Sequence, residues 1–186
     1  MITLNNVYFK YPDTEVIVLK DITLAVEKGK RLAIMGMNGS GKTTLLKIIA
    51  GLLKPTKGQI SIESEKIREP TIGFSHEDPE ECFFARTVRE EIEFFPKNVG
   101  LDFKERTDHI LKKLQLEDLE NKPPYILSSG QQRKVSLASV ISGNPSILIF
   151  DEPSHSLDEH SEKEIGLLLN KLKRTVIFTT HSSDFA

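Results

Sequence analysis

A glycine-rich stretch, residues 36–43, has the residue types and spacing for phosphate chemistry. A glycine is followed by four residues, a second glycine, a lysine and a threonine, which is the pattern of a phosphate-binding loop. The glycines let several backbone N–H groups point at one spot, the lysine adds a positive charge, and the threonine hydroxyl suits Mg²⁺. We therefore predict that a nucleotide contacts Gly36, Asn38, Gly39, Ser40, Gly41, Lys42, Thr43 and Thr44.

The residues around this phosphate loop predict a strand before it and a helix after it. The strand covers residues 31–35 and the helix covers residues 44–53, so the positive end of the helix faces the bound phosphates. A plain glycine turn, the alternative interpretation, does not require this strand–loop–helix context.

Two acidic residues, Asp151 and Glu152, follow a short apolar run, Ile147–Phe150. Such a run is typical of a central strand in a parallel sheet, and ligands of open α/β sheets bind at the carboxyl ends of the strands. There Asp151 can hold Mg²⁺ through water, and Glu152 can take a proton from an attacking water. Two acids at an ordinary strand end are common, but with the phosphate loop upstream they predict nucleotide hydrolysis.

The remaining patterns predict an α/β domain with a helical insert. Predicted strands cover residues 2–11, 16–26, 31–35, 59–62, 71–75, 147–150 and 175–180. Predicted helices cover residues 44–53, 88–95, 104–116, 128–142 and 158–173, and an acidic loop is expected at residues 77–81. Alternation at both ends of the chain favours a three-layer core, so we expect one domain, with residues 1–76 and 145–186 as the nucleotide-binding core and about 77–144 as a helical subdomain.

Composition narrows the possible partners. The formal net charge is −2, so no basic excess indicates nucleic acid. The single cysteine, Cys82, rules out an internal disulfide and is interpreted as a small, half-buried thiol. There is no signal-peptide pattern, and the apolar runs are far shorter than a membrane span, so we expect any membrane role to be peripheral and to act through a partner.

These motifs together resemble the ATP-binding cassette ATPases. Residues 127–131, Leu-Ser-Ser-Gly-Gln, resemble the signature motif of that family and lie before the strand with the two acids, as in the family. The resemblance implies that Ser128, Ser129, Gly130 and Gln131 serve the γ-phosphate held by a second subunit. The active unit would then be a head-to-tail dimer with two ATP molecules at the interface.

Three other positions extend the resemblance over the whole chain. Ser156-Leu157-Asp158 is similar to the family's D-loop, His181 stands at its switch histidine, and Tyr11 resembles the aromatic residue that stacks on adenine. The resemblance implies that Glu152 is the general base and that His181 orients the water at the γ-phosphate. The implied fold is a P-loop NTPase three-layer core with a mixed sheet, an N-terminal antiparallel β-subdomain and a helical signature subdomain. We also expect the family fold to continue beyond residue 186.

Two positions depart from the family pattern. The family usually has a glutamine near residue 75, in a loop that senses Mg²⁺ and the membrane partner. Here the alignment puts Glu77 at that position, and a shift by one residue would select His76 instead. Glutamate can also coordinate Mg²⁺ but adds negative charge beside the γ-phosphate. Ser129 replaces the usual first glycine of the signature motif, and we expect this small residue to be tolerated.

Residues 78–92 resemble the ATPases of energy-coupling-factor and cobalt importers, which drive vitamin or metal-ion uptake. The resemblance implies a transmembrane partner, a second ATPase subunit of the same or a different chain, and a location at the cytoplasmic face of the cell membrane. The aromatic pair Phe83-Phe84 is either a docking surface for that partner or ordinary core. His109, His155 and His160 are expected on solvated surfaces.

Two alternative functions remain to be compared. One is a soluble ATPase of the same family that acts on nucleic acid or ribosomes. The short distance from Lys42 to Ser128 leaves no room for the coiled coils of chromosome-type relatives, and ribosomal relatives carry two cassettes where this chain has one. The other is a nucleotide-binding regulatory module without hydrolysis, and the presence of Glu152 and His181 argues against it.

Overall fold

The structure is a computed structural model, and it describes residues 1–63, 72–155 and 157–181. The strands are β1 (Ile2–Lys10), β2 (Ile17–Val26), β3 (Arg31–Met35), β4 (Lys57–Ile62), β5 (Ile72–Ser75), β6 (Ile147–Phe150) and β7 (Thr175–Thr180). The helices are α1 (Lys42–Ile49), α2 (Val88–Asn98), α3 (Lys104–Leu114), α4 (Ser129–Ser142) and α5 (Glu159–Lys171). The predicted order of strands and helices is confirmed.

Several predicted details were wrong. The acidic segment contains a short 3₁₀ turn at Glu80–Cys82, and Cys82 is exposed rather than half-buried. Helix α2 continues beyond the expected stop before Pro96. Pro96 has no N–H for the carbonyl of Ile92, but the buried hydroxyl of Ser142 donates to that oxygen at 2.8 Å. A side chain of another helix thus replaces the hydrogen bond that proline removes.

The N-terminal strands form an antiparallel sheet in the order β2-β1-β4. Alternate residues of β1, such as Ile2 and Leu4, are buried and pack with Leu46 and Ile49 of α1. Polar residues between them face the other side, which is the period-two pattern of a sheet with one buried face.

The second sheet is parallel, in the order β3-β7-β6-β5. Every residue of β6 and β7 is buried. In β6, Ile147 and Ile149 pack toward α1, whereas Leu148 and Phe150 pack toward α4 and α5. Helices therefore cover both faces of this sheet, as a three-layer α/β core requires. Because parallel strands end at the same edge, the segments that follow β3, β5, β6 and β7 meet there.

Helices α2, α3 and α4 lie between β5 and β6 in the chain and enclose a core of their own. Its fully buried members include Val88, Ile92 and Val135. Arg89 of α2 links parts of this unit to one another, because its guanidinium donates to the carboxylate of Glu120 and lies within ion-pair distance of Asp108 on α3. The division at residues 77 and 144 itself stays a prediction.

Gly58 offers a test of the N-terminal sheet. Its φ is +86°, and a Cβ there would lie 2.3 Å from the carbonyl oxygen of Asn6. Gly29 has a similar φ of +76°, but a Cβ there has nothing within 4 Å. We expect Gly29→Ala to lower the free energy of unfolding by about 1–2 kcal/mol, the cost of a left-handed backbone for alanine. Gly58→Ala should cost about 1–3 kcal/mol more from steric overlap. Denaturant titration of both variants checks this, and equal losses would contradict it.

Candidate functional site

The phosphate loop wraps around the ammonium group of Lys42. Gly41, the last residue before α1, has φ +93°, and a Cβ there would lie 3.2 Å from the carbonyl oxygen of Val18. Both the backbone conformation and the close neighbour therefore call for glycine. Lys42 is buried, and its Nζ donates to the carbonyl oxygen of Gly36 at 2.9 Å and lies 3.4 Å from that of Met37.

Three predicted site residues from distant parts of the chain meet at this loop. Lys42 Nζ lies 3.4 Å from Glu152 Oε1 and 3.1 Å from His181 Nε2. His181 Nε2 in turn lies 3.0 Å from Glu152 Oε1. The three residues follow β3, β6 and β7, which are neighbours in the parallel sheet. The strand order thus brings a positive charge, a carboxylate and an imidazole to one point at the carboxyl edge.

Thr179 orients the acidic pair, and the sequence did not single it out. Its hydroxyl donates to Asp151 Oδ1 at 2.7 Å and accepts from the backbone N–H of Glu152 at 2.8 Å. Glu152 has φ +46°, a left-handed conformation that turns the chain at the end of β6. The available signal was the pair of threonines, Thr179 and Thr180, at the end of β7 after three apolar residues.

A cleft of about 430 Å³ adjoins these residues. It is lined by Tyr11, Val18, Asn38, Gly39, Ser40, Gly41, Lys42, Thr43, Thr44, Glu77 and Glu152. The Tyr11 hydroxyl lies 3.1 Å from Thr44 Oγ1, and its ring packs edge-on against Phe9. Tyr11 is 38% exposed, so it retains a surface for a ligand.

The two candidates for the loop after β5 lie in different places. Glu77 lines the cleft beside the phosphate loop. His76 packs edge-on against the ring of Phe74, with 4.8 Å between ring centroids, and lines another cavity. The geometry therefore favours Glu77 over His76 as the residue that faces a bound nucleotide.

The signature residues begin helix α4. The Ser128 hydroxyl accepts from the backbone N–H of Gln131, and the Gln131 side chain accepts from that of Ser128, which is a capping box. Ser128 and Ser129 are exposed, and Gly130 and Gln131 are half-buried. Within the ranges that the structure describes, none of these four residues lines the cleft. They present a helix N-terminus, a favourable place for an anion, at a separate surface of the chain.

Asp158 caps α5 through a hydrogen bond that its carboxylate accepts from the backbone N–H of Ser161 at 2.8 Å. Hydrogen bonds from Ser161 lower the pKa of the Asp158 carboxyl. Leu157, the preceding residue, lies beside the signature residue Gly130. Ser156, predicted in the same motif, lies outside the described residues.

An aromatic groove of about 230 Å³ opens beside the end of β5. Its rim contains Phe84 and Phe94, which are 60% and 50% exposed and stack edge-to-face at 4.4 Å. Beneath them, the buried Glu91 accepts hydrogen bonds from the backbone N–H groups of Phe84 and Ala85 at 3.2 and 3.0 Å. Burial raises the pKa of the Glu91 carboxyl, and these hydrogen bonds oppose the rise. Phe83 is partly buried, packs against the helical core and also lines the groove, whereas Phe84 is exposed at its rim.

His109, His155 and His160 are exposed, as predicted. Among the described residues, no three of the histidines, cysteines and acids are grouped so as to hold a metal ion by themselves. No helix in the described ranges is long and apolar enough to cross a membrane.

A family model described as ABC transporter matches residues 19–155. The energy-coupling factor transporter ATP-binding protein EcfA of Methanocaldococcus jannaschii is 37% identical over an alignment that covers 96% of this chain and 69% of that protein. The corresponding protein EcfA1 of Mycoplasma mobile is 37% identical over 100% of this chain and 73% of its own length.

Two solved structures share the fold over the whole chain. The ATP-binding cassette MJ0796, a dimer in a post-hydrolysis state with ADP and phosphate, has a TM-score of 0.86 at 31% identity, with 90% of its chain covered. CbiO1 of Clostridium perfringens, part of the ABC transporter complex cbiONQ, has a TM-score of 0.81 at 32% identity, with 80% of its chain covered.

Proposed function

This chain belongs to the ABC transporter family, and we propose that it is the ATP-hydrolysing subunit of an uptake transporter of the energy-coupling-factor type. The observation that carries the proposal is the meeting of Lys42, Glu152 and His181 beside the cleft. Relatives named as energy-coupling factor ATPases favour this function over a soluble ATPase acting on nucleic acid or ribosomes. A regulatory module without hydrolysis would not need the acid and the histidine at this place.

Hydrolysis follows from the positions of these groups. Lys42 and the N–H groups of the phosphate loop hold the β- and γ-phosphates of ATP. Glu152 Oε1 lies 3.4 Å from Lys42 Nζ. A water that is hydrogen-bonded to this carboxylate therefore lies next to a γ-phosphate that is bound by the lysine. The water oxygen attacks the γ-phosphorus, its proton passes to Glu152, and the bond to the β–γ bridging oxygen breaks to release ADP and phosphate. His181, 3.0 Å from the same carboxylate oxygen, orients the base.

The cleft also has suitable ligands for Mg²⁺. Thr43 and Glu77 line it, and Asp151 precedes Glu152 with one carboxylate oxygen held by Thr179. All three side chains offer oxygen, which Mg²⁺ prefers, and it usually binds through one or two carboxylates together with substrate phosphates. When bound, the ion neutralises charge on the β- and γ-phosphates. Glu77 in place of glutamine adds a negative charge, so the rate of hydrolysis should differ from that of relatives with glutamine.

The complete site requires two subunits. Ser128 to Gln131 lie on a surface apart from the cleft of their own chain, so they serve the γ-phosphate bound to the partner subunit. Asp158, beside them, lies at the same interface. Tyr11 stacks on the adenine, a contact worth about 1–3 kcal/mol by comparison with stacking on nucleic-acid bases. Two ATP molecules are then enclosed between two cassettes.

The aromatic groove of Phe84 and Phe94 is the docking site for the transmembrane subunit. Both rings are exposed, and the buried Glu91 carboxylate fixes the backbone of Phe84 by accepting a hydrogen bond from its N–H. Exposed acids at Glu80 and Glu81 lie beside it, so the complementary segment carries apolar side chains with basic neighbours. This docking holds the chain at the cytoplasmic face of the membrane.

A pull-down from detergent-solubilised membranes tests the transporter proposal. The tagged chain should recover a polytopic membrane protein, and Phe84→Ser should reduce the recovery several-fold because an exposed aromatic anchor is lost. Leu52→Ser is the matched control, since Leu52 is 57% exposed and does not line the groove. Recovery of ribosomes or DNA instead would overturn the transporter proposal. Equal recovery with Phe84→Ser and Leu52→Ser would show that docking occurs elsewhere.

A further inference from the structure

One face of helix α4 packs along strand β5. Its contact residues, Arg133, Ser136 and Val140, follow the helical spacing of three and then four residues. Ser136 Oγ lies 2.8 Å from Ser75 Oγ at the end of β5. Further along, the helix approaches so closely that a Cβ on Gly73 would lie 2.6 Å from a methyl carbon of Val140. The helix and the strand are therefore in direct contact at both Gly73 and Ser75.

Arg133 extends this contact beyond the end of the strand. Its guanidinium donates to the carbonyl oxygen of His76 at 2.9 Å and also to that of Glu77. β5 ends at Ser75, whose carbonyl accepts from the backbone N–H of Asp151, so the two residues that follow lie outside the sheet ladder. A planar fork with several N–H donors suits two successive carbonyls, which a single ammonium cannot match.

Arg133 is 3% exposed, so it carries a buried positive charge. Burial lowers the pKa of Arg133, and the negative charges of Asp78, Glu77, Asp151 and Glu152 oppose that effect. Of these acids, Glu77 and Asp151 are assigned above to Mg²⁺, and Glu152 is assigned to the attacking water. Within the described part of the chain, Arg133 Nε has no hydrogen-bond partner, so the two carbonyl contacts are what hold the group in place.

We propose that Arg133 is a positioning residue for hydrolysis, which fixes the backbone at His76 and Glu77 and so holds the Glu77 carboxylate at the nucleotide cleft. This inference rests on the proposed function of the same site. The strand end is already anchored by the Ser75–Ser136 contact, so Arg133 is required for the two loop residues rather than for the sheet. The arginine therefore acts through Glu77 and does not touch the nucleotide.

The test compares Arg133→Gln and Arg133→Lys in the full chain assembled with its partner subunits. Arg133→Gln should lower kcat and the apparent Mg²⁺ affinity by about 10–100-fold, as loss of supporting contacts around a metal site does. The KM for ATP should change little, because the phosphate loop and Tyr11 are untouched. Arg133→Lys should give an intermediate rate, since an ammonium can donate to one of the carbonyls. A Mg²⁺ titration at saturating ATP gives the second readout.

Two further variants separate positioning from a merely structural role. Lys134→Gln removes the ion pair, 2.7 Å long, between the neighbouring residue Lys134 and Glu164. This pair connects α4 to α5 and does not contact the loop, so the variant should leave kcat unchanged. In a Glu77→Ala background, Arg133→Gln should cause no further loss of kcat. The inference is overturned if the two losses multiply, or if Arg133→Gln lowers thermal stability while kcat and Mg²⁺ dependence stay at the wild-type values. No hydrolysis by the assembled wild type would instead refute the proposed function.

Discussion

Replacing Glu152 with glutamine is expected to slow ATP hydrolysis by about 10²–10⁴-fold, because an amide cannot take the proton of the attacking water. The change keeps the size of the side chain and an oxygen that can face Lys42 and His181. In the wild type, Glu152 Oε1 lies 3.4 Å from Lys42 Nζ and 3.0 Å from His181 Nε2. ATP should therefore still bind. Since the bound ATP is not consumed, the two-subunit complex enclosing it should accumulate.

Phosphate release in the presence of the transporter partners measures the first effect, and size-exclusion chromatography with ATP measures the second. Glu159→Gln is the control, because Glu159 is an exposed acid at the start of α5. Its ion pair with Lys163, 2.6 Å long, lies on the surface and contributes little to stability. Equal and substantial rates for wild type and Glu152→Gln would contradict the assigned base. Negligible rates for both would contradict the enzymatic function itself.

Lys42→Met is expected to remove the stabilisation of the protein by ATP. A ligand at about 100 times its Kd stabilises a folded protein by about 2.7 kcal/mol, and wild type should show a corresponding rise in Tm. The variant lacks the charge that holds the phosphates, so its Tm should stay the same with and without ATP. Its Tm without ATP should also be lower, because the buried Glu152 carboxylate loses its contact with the ammonium.

Thermal unfolding with and without Mg²⁺ and ATP checks this prediction. Lys54→Met is the matched control, since Lys54 is an exposed lysine just after α1 and its loss leaves the cleft intact. The control should keep both the wild-type Tm and the ATP-induced rise. A full ATP-induced rise in Lys42→Met would show that the loop binds phosphate without its lysine.

Local chemistry explains which parts of this fold could be predicted from the sequence. The segments Ile147–Phe150 and Thr175–Thr180 became strands with the expected ends. The first is a continuous apolar run and the second is rich in β-branched residues, and both patterns suit a buried parallel strand. Helix α4 starts after Ser128 because a serine there can cap the first turn. The phosphate loop was identifiable because its glycines and lysine lie within one short segment.

Other features depended on packing between distant segments. The helix α2 was expected to end at about residue 95, but it continues through Pro96, where the Ser142 hydroxyl on another helix satisfies the carbonyl that proline leaves open. Of the pair Phe83-Phe84, one ring joins the helical core and the other faces solvent, which their neighbouring positions in the sequence did not distinguish. Thr179 and Arg133 act through contacts with residues 28 and 57 positions away in the chain.

The sequence by itself determined the chemical groups of the site and the strands and helices that carry them, since both depend on residues close together in the chain. Only the tertiary structure decided which groups meet. Lys42 and His181 lie 139 positions apart, and they touch because β3 pairs with β7 while β6 lies on the other side of β7. The different surroundings of Glu77, which lines the cleft, and His76, which packs against Phe74, likewise depend on tertiary packing. Strand order and helix packing arise from the burial of all the apolar surfaces together, and no local pattern specifies them.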